Sequence, residues 1–431
     1  MTQVLNKPTG VFVGLTVLDL VHHVNAPPGP NEKITANRQF IAAGGPAANA
    51  AVTFAALGGK ARLFTALGNS GPALVARQDL EAHGVEIIDF APPGFQISVS
   101  AVAVTSETGD RSVISMDAGT TPVGAVDVQV LKENNPTLWV SGIRTLRLEQ
   151  LLEPAHVLLV DGHHPELALA ALQFYQAPSR AELCSETQIP KSLTERPSNL
   201  GQSMKEYSAN QAPSTPANVG QGFMTERIMD AGRWKPHLEG LLPHTDTVIC
   251  SADFSSPPTL PPLPSIQGDL LLPTSLFKGP QFARTGGDRP INWWHRDTSD
   301  TQTRGSVSPP QVTAVDTLGA GDVFHGAYAF YAAVANTQRE LNTQHELNVD
   351  RELNVGRVLN AQREAGVTGP ADSTAMGQPS SEPRDAAEET RRLNHAQTGA
   401  NFAELLEQAS RIAAFRVQHL GPRNWIEDLP L

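Results

Sequence analysis

"TAVDTLGAGDVFHGAYAF" runs from Thr313 to Phe330, and this stretch decides how the rest of the chain is interpreted. "VTAV" is typical of the end of a strand, and after the glycines apolar residues recur at the i, i+3, i+4 spacing of a helix with one buried face. The stretch therefore predicts a strand, a glycine turn and a helix. Glycines let the backbone approach a ligand, and the first amides of a helix lack internal partners, so Gly319, Ala320 and Gly321 are suited to an anion such as phosphate.

Two aspartates, Asp316 and Asp322, flank this turn. An acid in the first turn of a helix is common, because the helix dipole stabilises negative charge there. Asp322, however, also adjoins a place suited to an anion. The sharper interpretation is that Asp322 takes a proton from a substrate hydroxyl and directs its oxygen at a phosphoryl group held by the amides.

The segment "DTLGAGD" resembles the C-terminal signature of the PfkB, or ribokinase-like, family of carbohydrate kinases. The resemblance implies that Asp322 is the catalytic base and that Gly319, Ala320 and Gly321 form the anion hole. It also implies that Asp316 lies beside a monovalent cation, K⁺.

The composition excludes several other classes of protein. The chain has 431 residues, 40% of them hydrophobic, which is enough for a large core, and its net charge of −12 argues against nucleic-acid and anionic-membrane surfaces. The 2 cysteines have no metal-site spacing. No apolar run has the length of a membrane span and no secretory leader is recognisable, so a cytoplasmic location is expected.

Strands that alternate with helices predict an α/β fold with a mostly parallel central sheet flanked by helices. "VFVGLTVLDLV" is interpreted as one buried first strand. "ISVSAVAVTSETGDRSVISMDAG" predicts instead a hairpin with a "SETGD" turn. In the resembled family a small β-sheet lid covers the sugar. The strands of that lid are placed at about 31–43 and 95–119, within a kinase domain covering 8–431.

Two N-terminal segments, "GLTVLDLVHHV" and "AAGGPAANAAV", resemble the family's sugar-binding segments. The matched positions are Asp19, Gly44, Gly45 and Asn49. A polyol needs such carboxylates and amides at fixed angles. The ordinary alternatives are a turn aspartate for Asp19 and a helix-capping amide for Asn49. Pro46 stands where several relatives have a hydrogen-bonding side chain, so one substrate contact is expected to be missing.

The nucleotide side departs further from the family pattern. "ARTGGDRPINWW" resembles a nucleotide-binding segment in which Thr285, Gly286 and Gly287 are the candidate phosphate and ribose neighbours. The family's magnesium-ordering element is replaced by "SADFSS", where Asp253 is either a magnesium contact through water or a turn residue. Mg²⁺ is expected in either case, because phosphoryl transfer from ATP needs it to bridge the phosphates.

Two polar segments do not fit this architecture, and both are interpreted as disordered insertions: 177–222 and 336–400. The second begins with the repeat "RELNTQ", "HELNVD", "RELNVG", after a helix expected to end near Ala335.

The predicted function is ATP-dependent phosphorylation of a sugar or sugar-like alcohol. "LVDGHHPELAL" and "MDAGRWKP" lean toward the sulfofructose-kinase and ketohexose-kinase side of the family. A nucleoside kinase of the same family and a catalytically silent sugar- or nucleotide-binding module stay open as alternatives. A homodimer through the lid is expected, with neither nucleic acid nor membrane as partner. The sequence names neither the sugar nor the phosphorylated hydroxyl.

Overall fold

A computed structural model describes the parts of the chain that carry the fold. The described residues are 7–107, 109–116, 138–140, 144–146, 154–176, 225–254, 277, 279–296, 301–365 and 401–430. The insertion predicted at 177–222 and the prolines that follow "SADF" lie outside them.

Within the described residues, one sheet of nine strands forms the centre of the molecule, in the order β15-β14-β13-β12-β11-β10-β1-β4-β5. Neighbouring strands from β5 to β13 pair in parallel, and β14 and β15 are added antiparallel. This mostly parallel arrangement confirms the predicted fold class. The strands are β1 Thr9–Val13, β4 Lys60–Thr65, β5 Val85–Asp89, β10 Val157–Val160, β11 Glu226–Gly232, β12 Thr247–Cys250, β13 Gln281–Gly286, β14 Arg289–Arg296 and β15 Gln302–Val307.

Helices cover both faces of this sheet, because its strands are apolar on both sides and bury both faces. They are α1 Pro46–Ala56, α2 Gly71–Ala82, α3 Pro165–Gln176, α4 Leu238–Leu241, α5 Ala320–Ala365 and α6 at 401–416. The alanine-rich α1 packs closely on α5, and Gly326 makes this approach possible. A Cβ at Gly326 would lie 2.4 Å from the carbonyl oxygen of Ala50.

A second sheet of the described residues has the order β3-β2-β6-β7, with strands β2 Val17–Val24, β3 Arg38–Gly44, β6 Val99–Thr105 and β7 Arg111–Ile114. The antiparallel pair of β6 and β7 is the hairpin expected from "SETGD". A further pair, β8 Leu138–Val140 with β9 Arg144–Leu146, lies apart from both sheets.

The prediction of one continuous first strand in "VFVGLTVLDLV" is wrong. The chain leaves the central sheet after Val13 and enters the second sheet at Val17. The break lies at Gly14, where a Cβ would be 2.1 Å from the carboxylate of Asp161. Asp161 Oδ2 also accepts the amide of Leu15 at 2.9 Å, so a buried carboxylate takes a backbone hydrogen bond that a sheet neighbour would otherwise receive.

The prediction that a disordered insertion begins at residue 336 is also wrong. Helix α5 has 46 residues and continues through the repeats to Ala365, a length of about 69 Å. Arginine, glutamate, leucine and glutamine in the repeats are good helix formers. Past the expected end, Asn336 Nδ2 still donates to the carbonyl of His156 at 3.1 Å, so the extension begins in contact with the domain. Residues 366–400 lie outside the described residues.

Among the described residues, no helix is both long and apolar enough to cross a membrane.

Candidate active site

The loop before helix α5 has its main chain bonded to the C-terminal part of the protein. Residues 308–319 contain no strand, so the strand expected in "VTAV" is not formed. The amides of Val315 and Asp316 instead donate to the carbonyl of Val417 at 2.7 and 3.1 Å. These amides therefore bond to the segment after helix α6 and not to a neighbouring strand. Gly319 has φ of 73°, a value that favours glycine, and α5 begins at the next residue. The glycine turn and the helix start are therefore where the sequence predicts them.

Asp322 lies in the first turn of α5 and contacts a residue far away in the sequence. Asn49 Nδ2 donates to Asp322 Oδ2 at 2.8 Å. Gly319 closes over this pair, because a Cβ there would lie 3.7 Å from Asn49 Nδ2 and 3.8 Å from Asp322 Oδ2. The structure thus brings together residues that the sequence assigned separately to the base and to the sugar site.

The surroundings of Asp322 raise its pKa toward neutral pH. Burial raises the pKa of Asp322 to about 6, and the negative charge of Asp230 adds to the rise. The hydrogen bond from Asn49 and the charge of His325 oppose it. A carboxylate with this pKa is suited to accept a proton at physiological pH.

Sequence reasoning missed a second acidic group, formed by Asp161 and Asp230 at the carboxyl ends of β10 and β11. Asp161 Oδ2 accepts the amides of Leu15 and Ala47 at 2.9 and 3.1 Å, so it ties the β1 end to the start of α1. Burial raises the pKa of Asp230 to about 7, and the nearby charge of Asp161 contributes. The available signal was an aspartate at the end of each buried strand, "LLVD" and "RIMD".

His325, one turn after Asp322 on α5, joins this acidic group. Its Nδ1 lies 3.2 Å from Asp230 Oδ2 and 2.7 Å from the carbonyl oxygen of Gly321. Burial lowers the pKa of His325, while the charge of Asp322 raises it. The helical i, i+3 spacing of Asp322 and His325 was visible in the sequence. The sequence did not show that Asp230 of β11 lies beside them.

Asp19 lies in strand β2 of the second sheet, because the chain leaves the central sheet after Val13. Gly44 makes room for it, because a Cβ at Gly44 would be 2.0 Å from Asp19 Oδ2. Gly45, with φ of 101°, brings the backbone against Leu15, where a Cβ would meet the carbonyl oxygen at 2.3 Å. The negative charge of Asp19 also raises the pKa of Asp322.

Pro46 is the first residue of helix α1. The amide at this position has no partner within the helix, so a proline costs nothing there and its fixed φ suits the helix start. The substitution noted in the sequence is therefore compatible with the local structure.

Asn49 is oriented by a hydrogen bond from Arg423 to its side-chain oxygen. Sequence reasoning also missed this arginine. Arg423 Nη1 donates to Asn49 Oδ1 at 3.0 Å, and Nη2 donates to the carbonyl of Ala43 at 2.7 Å and to Asp79 Oδ2 at 3.0 Å. Burial raises the pKa of Asp79, but hydrogen bonds from His83 and Arg423 outweigh this and lower it to about 2. The donors of Arg423 fix the amide of Asn49 so that its NH₂ group faces Asp322.

Asp316 is fully buried and surrounded by nitrogen donors. The amides of Leu318 and Gly421 donate to its two carboxylate oxygens at 2.9 and 3.0 Å. Arg416 Nη2 and His23 Nε2 lie 3.5 and 3.6 Å from Oδ2. This donor set does not fit the expected monovalent cation, because the carboxylate already faces a guanidinium and two amides.

The expected nucleotide residues lie at the turn between β13 and β14. Thr285 and Gly286 end β13, and Gly287, with φ of 71°, forms the turn. Thr285 Oγ1 donates to the carbonyl of Cys250 at 3.3 Å, which places this hairpin beside the carboxyl end of β12.

Asp253 follows β12 and is exposed, with its Oδ2 3.2 Å from the equally exposed Arg233. The structure contains no group of three His, Cys, Asp or Glu side chains that could hold a metal ion, within the residues it describes. Asp253 has the exposure of a turn residue, and the magnesium contact through water expected there stays a prediction.

The second sheet lies over the glycine loop. Leu318 packs against Val21, Val102 and Val104 of this sheet. At the hairpin turn, Thr317 Oγ1 donates to the carbonyl of Gly109 at 3.4 Å. The sheet therefore covers the loop as a lid.

Comparisons with known proteins identify one family match. Residues 8–161 match the model of the pfkB family carbohydrate kinases. The N-terminal part of the chain is therefore similar to this family. The family match covers the first strands, the lid and the segment up to Asp161, whereas "DTLGAGD" lies beyond it. No curated protein matches the chain.

Solved structures extend the likeness of fold beyond the family match. The ribokinase of Giardia lamblia is similar with a TM-score of 0.54 at 13% identity, over 98% of this chain and 98% of that chain. The adenosine kinase of Sinorhizobium meliloti gives 0.49 at 13% identity, over 96% and 95%. The ribokinase of Arabidopsis thaliana, solved with ribose and ATP, gives 0.44 at 16% identity, over 77% and 92%. The first of these shows that the chain has the ribokinase-like fold.

Proposed function

We propose that this protein belongs to the pfkB family and transfers the γ-phosphoryl group of ATP to a hydroxyl of a sugar or sugar-like alcohol. The observation that carries the proposal is the hydrogen-bonded pair of Asp322 and Asn49 at the N-terminus of α5, under the lid. The family match over residues 8–161 supports the reaction class, because the matched family is one of carbohydrate kinases.

In the proposed reaction Asp322 removes the proton of the substrate hydroxyl as that oxygen bonds to the γ-phosphorus. The bond from the γ-phosphorus to the β–γ bridging oxygen breaks, and ADP leaves. A carboxylate whose pKa is raised to about 6 is mostly ionised near pH 7 and still basic enough to share the proton. The amides of Gly319 and Gly321 provide partial positive charge for the transferred group, whereas the amide of Ala320, also expected in the anion hole, donates to the carbonyl of Thr317 at 3.3 Å.

The two substrates are assigned to opposite sides of this helix start. Asp19, Gly44, Gly45 and Asn49 form the sugar side in the proposal, because Asp19 and Asn49 both act on Asp322. The β13–β14 turn at 285–287 is assigned to the nucleotide. Mg²⁺, when bound, bridges the phosphates and neutralises charge. Because the described residues contain no group of three possible metal ligands, the nucleotide phosphates supply most of the ligands of Mg²⁺ in this proposal.

The class of acceptor is proposed from sequence resemblance. "GLTVLD", "LVDGHHPELAL" and "MDAGRWKP" favour a sulfofructose-like or ketohexose acceptor over a pentose. A nucleoside kinase and a catalytically silent binding module are the alternatives that a substrate screen must separate.

A homodimer through the lid is part of the proposal. Ile41, Val99 and Ile114 are 52%, 38% and 78% exposed. Ile41 pairs with Leu20, Leu20 with Ala101, and Ala101 with Ile114. Residues that pair directly across strands point to the same side of a sheet, so Ile41 and Ile114 lie on one face of the lid. Large exposed apolar side chains on one sheet face are typical of an interface.

An ATP-consumption screen tests the function directly. The panel contains ketohexoses, aldohexoses, pentoses, sugar phosphates, sulfosugars and nucleosides, each with Mg²⁺. We expect a sugar to stimulate ADP formation and Asp322→Asn to lower kcat by about 10²–10⁴-fold without loss of fold. The exposed Asp428→Asn is the matched control. Full turnover by a folded Asp322→Asn protein would refute the mechanism, and stimulation by nucleosides alone would replace the sugar.

A further inference from the structure

Arg416, near the end of helix α6, is almost completely buried beneath the glycine loop, with 1% of its side chain exposed. Its Nη2 donates to the carbonyl of Leu318 at 2.8 Å. Its Nη1 donates to the carbonyls of His419 and Asp316 at 2.9 and 3.3 Å. With the Asp316 carboxylate at 3.5 Å, one guanidinium is surrounded by four oxygen atoms of the protein.

Carbonyl oxygens together with one carboxylate are the ligands that hard cations prefer. In this structure the positive charge among these oxygen atoms is the guanidinium of Arg416. A guanidinium is planar, keeps its charge in proteins and spreads several donors over one fork, so a single arginine can satisfy several carbonyls that an ion would otherwise coordinate.

The oxygens around Arg416 come from two parts of the chain that meet at the active site. Asp316 and Leu318 belong to the loop that leads into Gly319 and Asp322, and His419 follows helix α6. The amide of Gly421 also donates to Asp316 Oδ2 at 3.0 Å, so the same C-terminal segment makes a second contact with this carboxylate. Arg416 therefore joins the glycine loop to the C-terminal segment.

We propose that Arg416 is an internal cation that replaces a monovalent metal ion beside Asp316, so that the glycine loop is held without K⁺. Arg416 acts through the loop and is a positioning residue. The part of this inference that concerns turnover rests on the proposed kinase function, whereas the part that concerns cation binding does not.

The first experiment uses the unmodified protein and needs no turnover. Thermal unfolding is measured in KCl, NaCl and choline chloride at equal ionic strength, because an ion that binds the native state raises its melting temperature. We expect equal melting temperatures. A rise of more than about 3 °C in KCl over choline chloride would overturn the inference.

The second experiment measures ATP-dependent turnover in the same three salts. We expect kcat to differ by less than about twofold, and activation by K⁺ of more than about tenfold would overturn the inference. If no acceptor is phosphorylated but the melting temperatures are equal, the proposed function fails and the cation inference stands. The two failures are thus distinguishable.

Arg416 variants then test the positioning role. We expect Arg416→Ala to lower kcat by about 10²-fold, because small displacements of a catalytic loop have effects of this size. Roughly 20 mM guanidinium chloride, far below denaturing concentrations, should restore part of the loss, whereas urea at the same concentration should not. Arg411→Ala is the matched control, since Arg411 lies on the same helix with 58% of its side chain exposed.

A folded Arg416→Ala protein with wild-type kcat in choline chloride would overturn the positioning role. If Arg416→Ala does not fold, Arg416→Lys provides the comparison, because one ammonium group keeps the charge but cannot span the three carbonyls. We then expect a lower kcat for Arg416→Lys with an unchanged KM for ATP, and an unchanged kcat would count against the proposal.

Discussion

Replacing Asn49 by aspartate should move the pH dependence of turnover, because Asn49 controls the proton affinity of Asp322. Asn49 Nδ2 donates to Asp322 Oδ2 at 2.8 Å, and this hydrogen bond lowers the pKa that burial raises to about 6. In Asn49→Asp the shape of the side chain stays the same. The donor is lost, and a second carboxylate faces the first.

The size of the shift follows from the lost hydrogen bond. A hydrogen bond to a charged group contributes about 1.5–3 kcal/mol, which is about 1–2 pKa units at 1.36 kcal/mol per unit. Repulsion between the carboxylates adds to this rise, and Arg423, 3.0 Å from the Oδ1 position, offsets part of it. The pKa of Asp322 should therefore move from about 6 to about 7–8.

A base acts when it is deprotonated, so a raised pKa moves the acid limb of the pH profile to higher pH. We expect kcat/KM of Asn49→Asp, relative to wild type, to be about tenfold lower near pH 6.5 than near pH 9, on top of a pH-independent loss from the changed sugar contact. The assay is kcat/KM for the best acceptor of the screen, because this parameter reports the pKa values of the free enzyme.

The control is Asn342→Asp, the same substitution at an exposed site on α5, about 30 Å along the helix from Asp322. It should leave the profile unchanged. An acid limb of Asn49→Asp that coincides with that of wild type, in a folded protein, would show that Asn49 does not tune Asp322. A wild-type limb near pH 4 would refute the effect of burial itself.

Four further outcomes are expected. Asp19→Ala should raise KM for the sugar by about tenfold and leave KM for ATP nearly unchanged; equal effects in initial-rate kinetics would make Asp19 structural. Gly321→Val should abolish turnover with an unchanged melting temperature, because a Cβ there meets nothing of the protein within 4 Å and only a bound phosphate would be displaced; an active valine variant contradicts the pose. Arg423→Ala should lower kcat by about tenfold with little change in KM for ATP, since it releases the Asn49 amide; kcat equal to wild type would remove Arg423 from the site. Gly/Ser linkers in place of 177–222 or 366–400 should preserve most of the activity of the folded protein, and loss of phosphorylation would assign these segments to the site.

The fold class could be predicted because its signals are local. Apolar strands, alanine-rich helix α1 and the glycine turn before α5 each depend on residues within a few positions of one another. The same locality explains the errors. The strand break at Gly14 depends on the buried carboxylate of Asp161, 147 positions later. The polar repeats after residue 336 have a local pattern that did not distinguish a continued helix from a disordered insertion.

By itself the sequence determined the candidate base and the amides before it, because Gly319 and Asp322 belong to one turn and one helix start. Only the tertiary structure decided what surrounds them. The Asn49–Asp322 pair joins residues 273 positions apart, and Arg416 reaches Asp316 across 100 positions. Proton affinity and the occupation of the expected cation site both depend on burial and on charges within a few ångströms, and these quantities exist only once distant strand ends and the C-terminal segment have packed together.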